Sequence, residues 1–469
     1  MIGINRLVFV FVLLVLQGCL LHPKYERPCV ETPDHWRLSF DEASSYANCQ
    51  WWEQLNDPVL NDLIAEALKN NYDLKVAIAR VNEFAGNLLV ARSPLYPQVS
   101  ELFEYSRQKN PPPVSIIPYT NFYDDLLTVS YQVDVWGRIR SGSEAALAQL
   151  LSSVEARRAV VLTIVTAVAS TYITLLQYDE QLEISIETYE SRKYYYEIAL
   201  DRFEGGLTSE LEPKQAEAEM EAALAAIFAF NIAVAEQENL LSVLLGHPPQ
   251  SIKRGVKLEK LNVPSDILVG IPSEVLGQRP DILEAEQNLI AANANIGVAR
   301  ANFFPNITLT GVYGNQSLEL HHLLTGPNVL WQYVAAGVQP IFTGWDLTGQ
   351  LEEAEAIKME AYYAYYQVVL NAFKEVNDAL IAYQESQKII TTISRRVDSL
   401  DQVLSLSTIQ YNNGEVDYLN VLTAQSALFD AELTLADAQG ELILSVINIY
   451  KSLGGGWVAD ADAEAIKGQ

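Results

Sequence analysis

Five histidines and three cysteines carry the metal-ligating and nucleophilic capacity of the chain, and their spacing limits what they can do. His22 and His35 lie near the amino terminus, His247 follows a glycine, and His321-His322 are adjacent. Nucleophilic catalysis needs a nucleophile, a base and an orienting group that converge. No GxSxG, HExxH, Walker or Gly-rich dinucleotide pattern occurs, so no catalytic constellation can be assembled. The chain is expected not to be an enzyme and to hold no cofactor. The His321-His322 pair sits in a polar segment and reads as a solvated loop, so no metal is assigned to it. Nor is there a CxxC or paired His/Cys spacing of the kind a structural zinc site uses. A formal net charge of −28 argues against nucleic acid as a partner, because phosphate binding needs clustered Lys and Arg.

The cysteines read differently. Arg6 precedes an apolar run from Leu7 to Leu16. That run is well short of the roughly 20 residues a membrane helix needs, and it reads as a signal peptide over residues 1–18. Its end, Leu16-Gln17-Gly18-Cys19, resembles the lipobox of bacterial lipoproteins. The resemblance implies cleavage before Cys19 and a covalent lipid on its sulfur. Leu20 stands where an aspartate would signal inner-membrane retention, so the outer membrane is favoured. Cys29 and Cys49 would then lie in an oxidising compartment, where a disulfide is permitted. Such a bridge is worth roughly 3 kcal/mol; the sequence leaves open whether their Cα atoms come within range.

No later stretch is read as a membrane helix: Ala159 to Tyr172 and Ala222 to Ala235 are too short or interrupted. A membrane crossing must then be made of strands, and only a closed barrel satisfies strand backbone in lipid. An internal repeat supplies the strands. Asp73-Leu74 through Val90-Ala91-Arg92 and Tyr96-Pro97 match Asp281-Ile282 through Val298-Ala299-Arg300 and Phe304-Pro305 at an offset of 208. Gly206 and Leu211 match Gly414 and Leu419 at the same offset. The chain therefore divides into an amino-terminal segment (19–72), a first repeat (73–246), a proline-bearing linker (247–280), a second repeat (281–453) and a tail (454–469).

Each repeat reads helix, strand, loop, strand, long helix, turn, long helix. Tyr123, Leu127, Val129, Tyr131 and Val133 alternate with polar residues, as do Ile307, Leu309 and Tyr313, which is the period of a strand with one apolar face. Asn110-Pro111-Pro112-Pro113 in one copy and the His321-His322 loop in the other separate the strands. Four strands per chain cannot close a barrel, since about eight are needed. Three chains supply twelve, although this step alone leaves other subunit numbers open. From about Gly137 to Glu204 no proline occurs, which permits a helix of roughly 100 Å. In the last helix Leu422, Phe429, Leu433, Ala436, Gly440, Ile443, Ile447 and Tyr450 form an apolar seam.

These residues resemble the TolC-like outer-membrane factors, specifically the lipoprotein (NodT-type) branch that serves resistance-nodulation-division efflux pumps. His22-Pro23-Lys24-Tyr25-Glu26-Arg27-Pro28, Trp51-Trp52 with Asp57-Pro58, and Arg279-Pro280-Asp281-Ile282 through Phe304-Pro305 carry the resemblance, beside Cys19. It implies a mixed α and β membrane protein: a homotrimer with a twelve-stranded outer-membrane β-barrel that continues into a periplasmic helical coiled-coil barrel. It implies a periplasmic adaptor protein and an inner-membrane pump as partners. The adaptor would meet the tips Gly206-Leu207-Thr208 and Gly414-Glu415-Val416. The aperture, closed at rest, would involve Asp417, Leu419, Asn420 and Thr423. Family members often carry acids beyond the second turn; here Asn420 and Thr423 hold those positions, so a divalent-cation block is in doubt. The reading is an efflux exit duct, with a type I secretion duct or a coiled-coil adaptor lipoprotein as the alternatives.

Overall fold

A computed structural model describes residues 21–30, 32–33, 36–37, 50–109, 119–263, 272–325, 327–454, 457–458 and 461–463. In chain order the elements are α1 (Pro58–Asn70), α2 (Tyr72–Arg92), β1 (Gln98–Lys109), β2 (Tyr119–Val133), α3 (Arg138–Glu204) and α4 (Leu211–Leu244). They continue as α5 (Pro272–Gln278), α6 (Pro280–Ala301), β3 (Asn306–Ser317), β4 (Val329–Val338), α7 (Asp346–Asn412) and α8 (Tyr418–Leu453). The element order of each repeat is the expected one, and both long helices, α3 and α7, have 67 residues. The chain forms two compact units, one containing 79–154 and 284–367, the other 155–283 and 368–469.

The first unit holds one antiparallel sheet in the order β1-β2-β3-β4. Pro97 and Pro305 end the preceding segments, because a proline ring cannot continue a helix interior. The register aligns Val99 with Val129 and then Gly311 and Tyr333, and aligns Leu127 with Tyr313 and Trp331. Alternate residues point to opposite faces. One face therefore collects Val99, Phe103, Leu127, Tyr313 and Trp331, all exposed in the single chain. The other collects Ser100, Glu104, Asp124, Thr128, Thr310 and Gln316, with Gln316 Nε2 donating to Asp124 Oδ1 at 2.8 Å. Across the same unit the amino-terminal arm is tied to α6: Asn293 Nδ2 donates to the Pro23 carbonyl at 2.7 Å and Arg27 pairs with Glu286 at 2.9 Å. A Cβ at Gly297 would sit 2.7 Å from His22 Cβ, so only glycine lets the arm approach there.

In the second unit the signature residues turn out to be structural. Asp57 caps α1, accepting from Val59 N at 2.8 Å, while its other oxygen accepts from Tyr172 OH at 2.8 Å and Val256 N at 3.1 Å. One buried carboxylate thus anchors α1, α3 and the linker, and burial removes the water that would otherwise compete for it. Trp51 stacks on Tyr450 with ring centroids 5.5 Å apart. Arg279, buried, reaches the Ser452 carbonyl at 2.8 Å and both Asp281 and Glu375 at 2.7 Å. The expected seam of α8 is buried except for the half-buried Leu433. At Gly440 a Cβ would fall 2.2 Å from Gln177 Oε1, whose Nε2 donates to Asp437 at 2.6 Å.

One expectation needs correction. Two helices, α3 and α4, contain windows apolar and long enough to cross a bilayer by composition. The alanine content of α3 is used in packing, since most of its apolar window is buried. In α4 the window is almost wholly uncovered, with Phe228, Ile232, Leu240 and Val243 exposed.

Candidate functional site

The two turns between paired helices share one backbone solution. At the end of α3, Gly206 takes φ +71, Gly206 N donates to Phe203 O at 2.9 Å and Leu207 N to Arg202 O at 2.8 Å. At the end of α7, Gly414 takes φ +76, Gly414 N donates to Tyr411 O at 2.9 Å and Glu415 N to Gln410 O at 2.9 Å. Both are Schellman closures, which satisfy the last carbonyls of a helix and need a left-handed residue. A Cβ at either glycine would meet nothing within 4 Å, so conformation rather than crowding selects glycine.

The side chains around the turns are not equivalent. Position 202 is Arg and its partner 208 residues on is Gln410; Phe203 is matched by Tyr411, and Glu212 by Asn420. Tyr411 OH donates to the Glu212 carboxylate and accepts from Arg202 Nη1, and Thr208 Oγ1 also donates to Glu212. Burial first, and the Glu212 carboxylate second, push the Tyr411 phenol up to about 12. The hydroxyl is therefore a bound donor at neutral pH. Beneath it Ala199, Ala216, Tyr418, Val421 and Leu422 form a small core from α3, α4 and α8, against which Leu404 and Tyr411 of α7 pack. Arg192 adds a buried tie, donating to Glu219 O at 2.7 Å with its guanidinium 5.1 Å from the Phe429 ring.

The remaining anticipated residues divide by exposure. Leu207 and Glu415 are exposed, Thr208 and Val416 partly buried. Asp417 precedes α8 and its carbonyl accepts from Asn420 N at 3.0 Å, while its side chain caps nothing. Leu419 is 56% exposed, and Asn420 and Thr423 are exposed beside it, whereas Tyr418 before them and Val421 and Leu422 between them are buried. Thr423 Oγ1 donates back to Leu419 O at 2.8 Å. Leu419, Asn420 and Thr423 thus share one uncovered stripe of α8, spaced by one and three residues. Cys19 and Cys49 lie outside the described residues, and Cys29 is exposed. His321 and His322 lie on the loop after β3, and the structure brings Glu319 to them.

Sequence reasoning missed Arg202, Glu212 and the role of Tyr411. The signal was present in the repeat: where copy one has Phe203, copy two has the same ring with one added hydroxyl.

Comparison with known proteins places this geometry. The family model described as outer membrane efflux protein matches residues 63–247 and 271–455. The chain is 33% identical over 461 residues to the probable outer membrane lipoprotein SilC of Salmonella typhimurium, covering 97% of this chain and 99% of SilC. It is 34% identical to the cation efflux system protein CusC of Escherichia coli O6:H1, covering 95% and 97%. It is 33% identical to the toluene efflux pump outer membrane protein TtgC of Pseudomonas putida, covering 94% of each. Among solved structures, a membrane protein from Pseudomonas aeruginosa superposes with TM-score 0.88 at 30% identity, over 93% of this chain and 100% of that one. The MtrE outer membrane channel of Neisseria gonorrhoeae, in its open state, superposes with TM-score 0.84 at 30% identity, over 94% and 99%.

Proposed function

The chain belongs to the outer membrane efflux protein family, and we propose that three copies of it close a single exit duct fed by an inner-membrane pump. It is an outer-membrane efflux channel protein and not an enzyme. The observation that carries the trimer is the sheet: four strands, one face bearing exposed aromatic and apolar side chains such as Phe103, Tyr313 and Trp331, the other face bearing Ser100, Glu104, Asp124 and Gln316 among its residues, and β1 and β4 at its two edges. In lipid an open edge leaves backbone groups without partners. Three such sheets joined edge to edge give a twelve-stranded barrel, apolar towards lipid and polar towards the lumen. The uncovered apolar face of α4, with Phe228 and Ile232, fits the same assembly as a helix-packing surface between chains. The repeats over 73–246 and 281–453 make the threefold ring nearly sixfold.

The tips Gly206-Leu207-Thr208 and Gly414-Glu415-Val416 meet a periplasmic adaptor, and the pump is of the resistance-nodulation-division type. Leu419, flanked by Asp417, Asn420 and Thr423, forms the resting aperture. The Arg202, Tyr411 and Glu212 cluster latches α7 to the neighbouring hairpin and holds that aperture shut. Cargo selection rests with the pump, because relatives named for cations and for toluene match this chain equally well. Cys19 carries the lipid, a reading supported by the lipoprotein relative. The barrel is the stronger anchor, since acyl chains alone hold a protein weakly.

The assembly is tested by extracting the protein from the outer-membrane fraction and running it unboiled. A heat-modifiable trimer is expected; a monomer at every temperature, with no cross-linked trimer, would overturn the duct. Cys19→Ser should abolish incorporation of radiolabelled palmitate while leaving the trimer intact. Label retained in that variant would remove Cys19 from its role.

A further inference from the structure

We propose that Glu319, His321 and His322 form a transition-metal site on the β3–β4 loop, a binding capacity separate from transport. The loop lies at the end of the hairpin away from the helices, because α6 enters β3 and β4 leads to α7 at the other end. Glu319 Oε2 lies 3.4 Å from His321 Nε2 and 3.6 Å from His322 Nε2, and the three ligand atoms all fall within 4.8 Å of one another. Zn–N bonds of about 2.0–2.1 Å place the ligand atoms of a tetrahedral ion about 3.3–3.4 Å apart. The two carboxylate-to-imidazole spacings lie close to that value, and the spacing between the imidazoles is within 4.8 Å, which a side-chain rotation can shorten as an ion enters. The His321 and His322 ring centroids are 3.8 Å apart, and both Nε2 atoms approach the same Glu319 oxygen.

The backbone holds these side chains together before any ion arrives. Ser317 Oγ donates to Glu319 O at 2.9 Å and accepts from Glu319 N at 3.2 Å. His322 N donates to Glu319 O at 3.1 Å, Thr325 N to His322 O at 3.2 Å, and Thr325 Oγ1 to His321 O at 3.2 Å. Gln316 N closes the loop on Asn328 O at 3.0 Å. Backbone hydrogen bonds that hold the ligand side chains in place reduce the entropy lost when an ion binds.

Two imidazoles and one carboxylate select among ions. They suit Zn2+, Ni2+ or Cu2+, whereas Ca2+ and Mg2+ want oxygen ligands in larger number. Three protein ligands leave a fourth position for water, so the ion stays exchangeable. Each imidazole must offer a lone pair on Nε2, and protons compete for the same atoms, so acid should release the metal. The His321-His322 pair alone reads as a solvated loop; Glu319, two residues before it, completes the ligand set.

The test is titration of the full chain, purified without a histidine tag, with Zn2+ in a large excess of Mg2+ that saturates the surface carboxylates. One tight Zn2+ per chain is expected. His321→Ala with His322→Ala should remove it, and Glu319→Gln should weaken it about tenfold or more, the scale on which metal sites respond to lost partners. Co2+ at the same site should give the intense visible bands of a four-coordinate ion. Equal Zn2+ binding by wild type and the double histidine variant would overturn the proposal, as would a wild type that binds none. The readout is metal binding, so either result leaves the exit-duct reading as it stands.

Discussion

The two helical turns, 208 residues apart, have the same backbone and different side chains. Both close with a left-handed glycine and the same pair of hydrogen bonds. Around the first lie Arg202 and Glu212; around the second the corresponding positions hold Gln410 and Asn420. Copy two adds polar groups at Asn413, Glu415 and the Tyr411 hydroxyl, and the Tyr411 hydroxyl is directed at the charges of the first copy. Backbone geometry is what the duplication preserves. The chemistry of the tip arises where the copies have diverged, because a donor on one copy can then meet an acceptor on the other.

The most severe way to break the shared half of this comparison is to replace its glycines. Gly206→Trp and Gly414→Trp should each abolish efflux while the trimer still assembles, measured by drug susceptibility and unboiled gels. Holding a non-glycine residue in the left-handed region costs roughly 1–2 kcal/mol, and a Cβ added at either position meets nothing within 4 Å, so the fold is expected to survive. What the tryptophan would remove is the proposed docking surface. Gly206→Ala and Gly414→Ala carry the same backbone penalty without the bulk, and both should keep most efflux. Equal failure of alanine and tryptophan would mean that strain, not docking, explains the loss.

Breaking the divergent half should have a smaller effect. Tyr411→Phe makes copy two resemble Phe203 of copy one and removes the bond to Glu212. For a partly exposed hydrogen bond to a charged group this is worth about 1 kcal/mol, or roughly a fivefold shift towards the open tip. Single-channel conductance or open probability in planar bilayers should rise accordingly. The wild type should show a related alkaline transition. Its phenol is raised from 10.0 to about 12, so the latch is intact below the ordinary tyrosine value and is lost as pH rises through about 12. Tyr411→Phe should lack that transition; a wild-type channel indifferent to the substitution would show that the latch does not hold the tip.

The same division explains what could be read without coordinates. Periodicity and proline placement located β1 after Pro97 and β3 after Pro305, and glycine chemistry located both turns, because each depends on local sequence. The pairing of β2 with β3 across the repeats was not legible, since nothing local in the sequence specifies which strands of the two hairpins meet. The latch was not legible: Arg202, Glu212 and Tyr411 come from three helices, and nothing local brings them together. Asp57 is similar, since its cap role is visible beside Pro58 while its bonds to Tyr172 and Val256 are not. The uncovered apolar face of α4 is likewise invisible to local sequence, because exposure depends on what the rest of the chain leaves unpacked.

The smallest expected effect concerns the neutral tip, where copy two lacks the acid of copy one. Glu212 is already occupied by Tyr411 and Thr208, so it is a poor cation ligand; Asn420 occupies the matching place on an uncovered stripe. The wild-type channel should therefore be only weakly sensitive to divalent cations, which need several oxygen ligands of adequate charge. Asn420→Asp with Thr423→Asp puts two carboxylates per chain on that stripe. In the trimer their mutual repulsion favours cation binding, and current should fall as divalent cation is added on the periplasmic side. Leu419→Ser separates this charge effect from wetting, since a ring of leucines can gate by excluding water; it should raise conductance without conferring block. A wild type that is already strongly blocked points to Asp417, exposed one turn away with no cap to hold it. Asp417→Asn should then relieve the block, and if block persists in that variant, the constriction is not formed by the residues around Leu419.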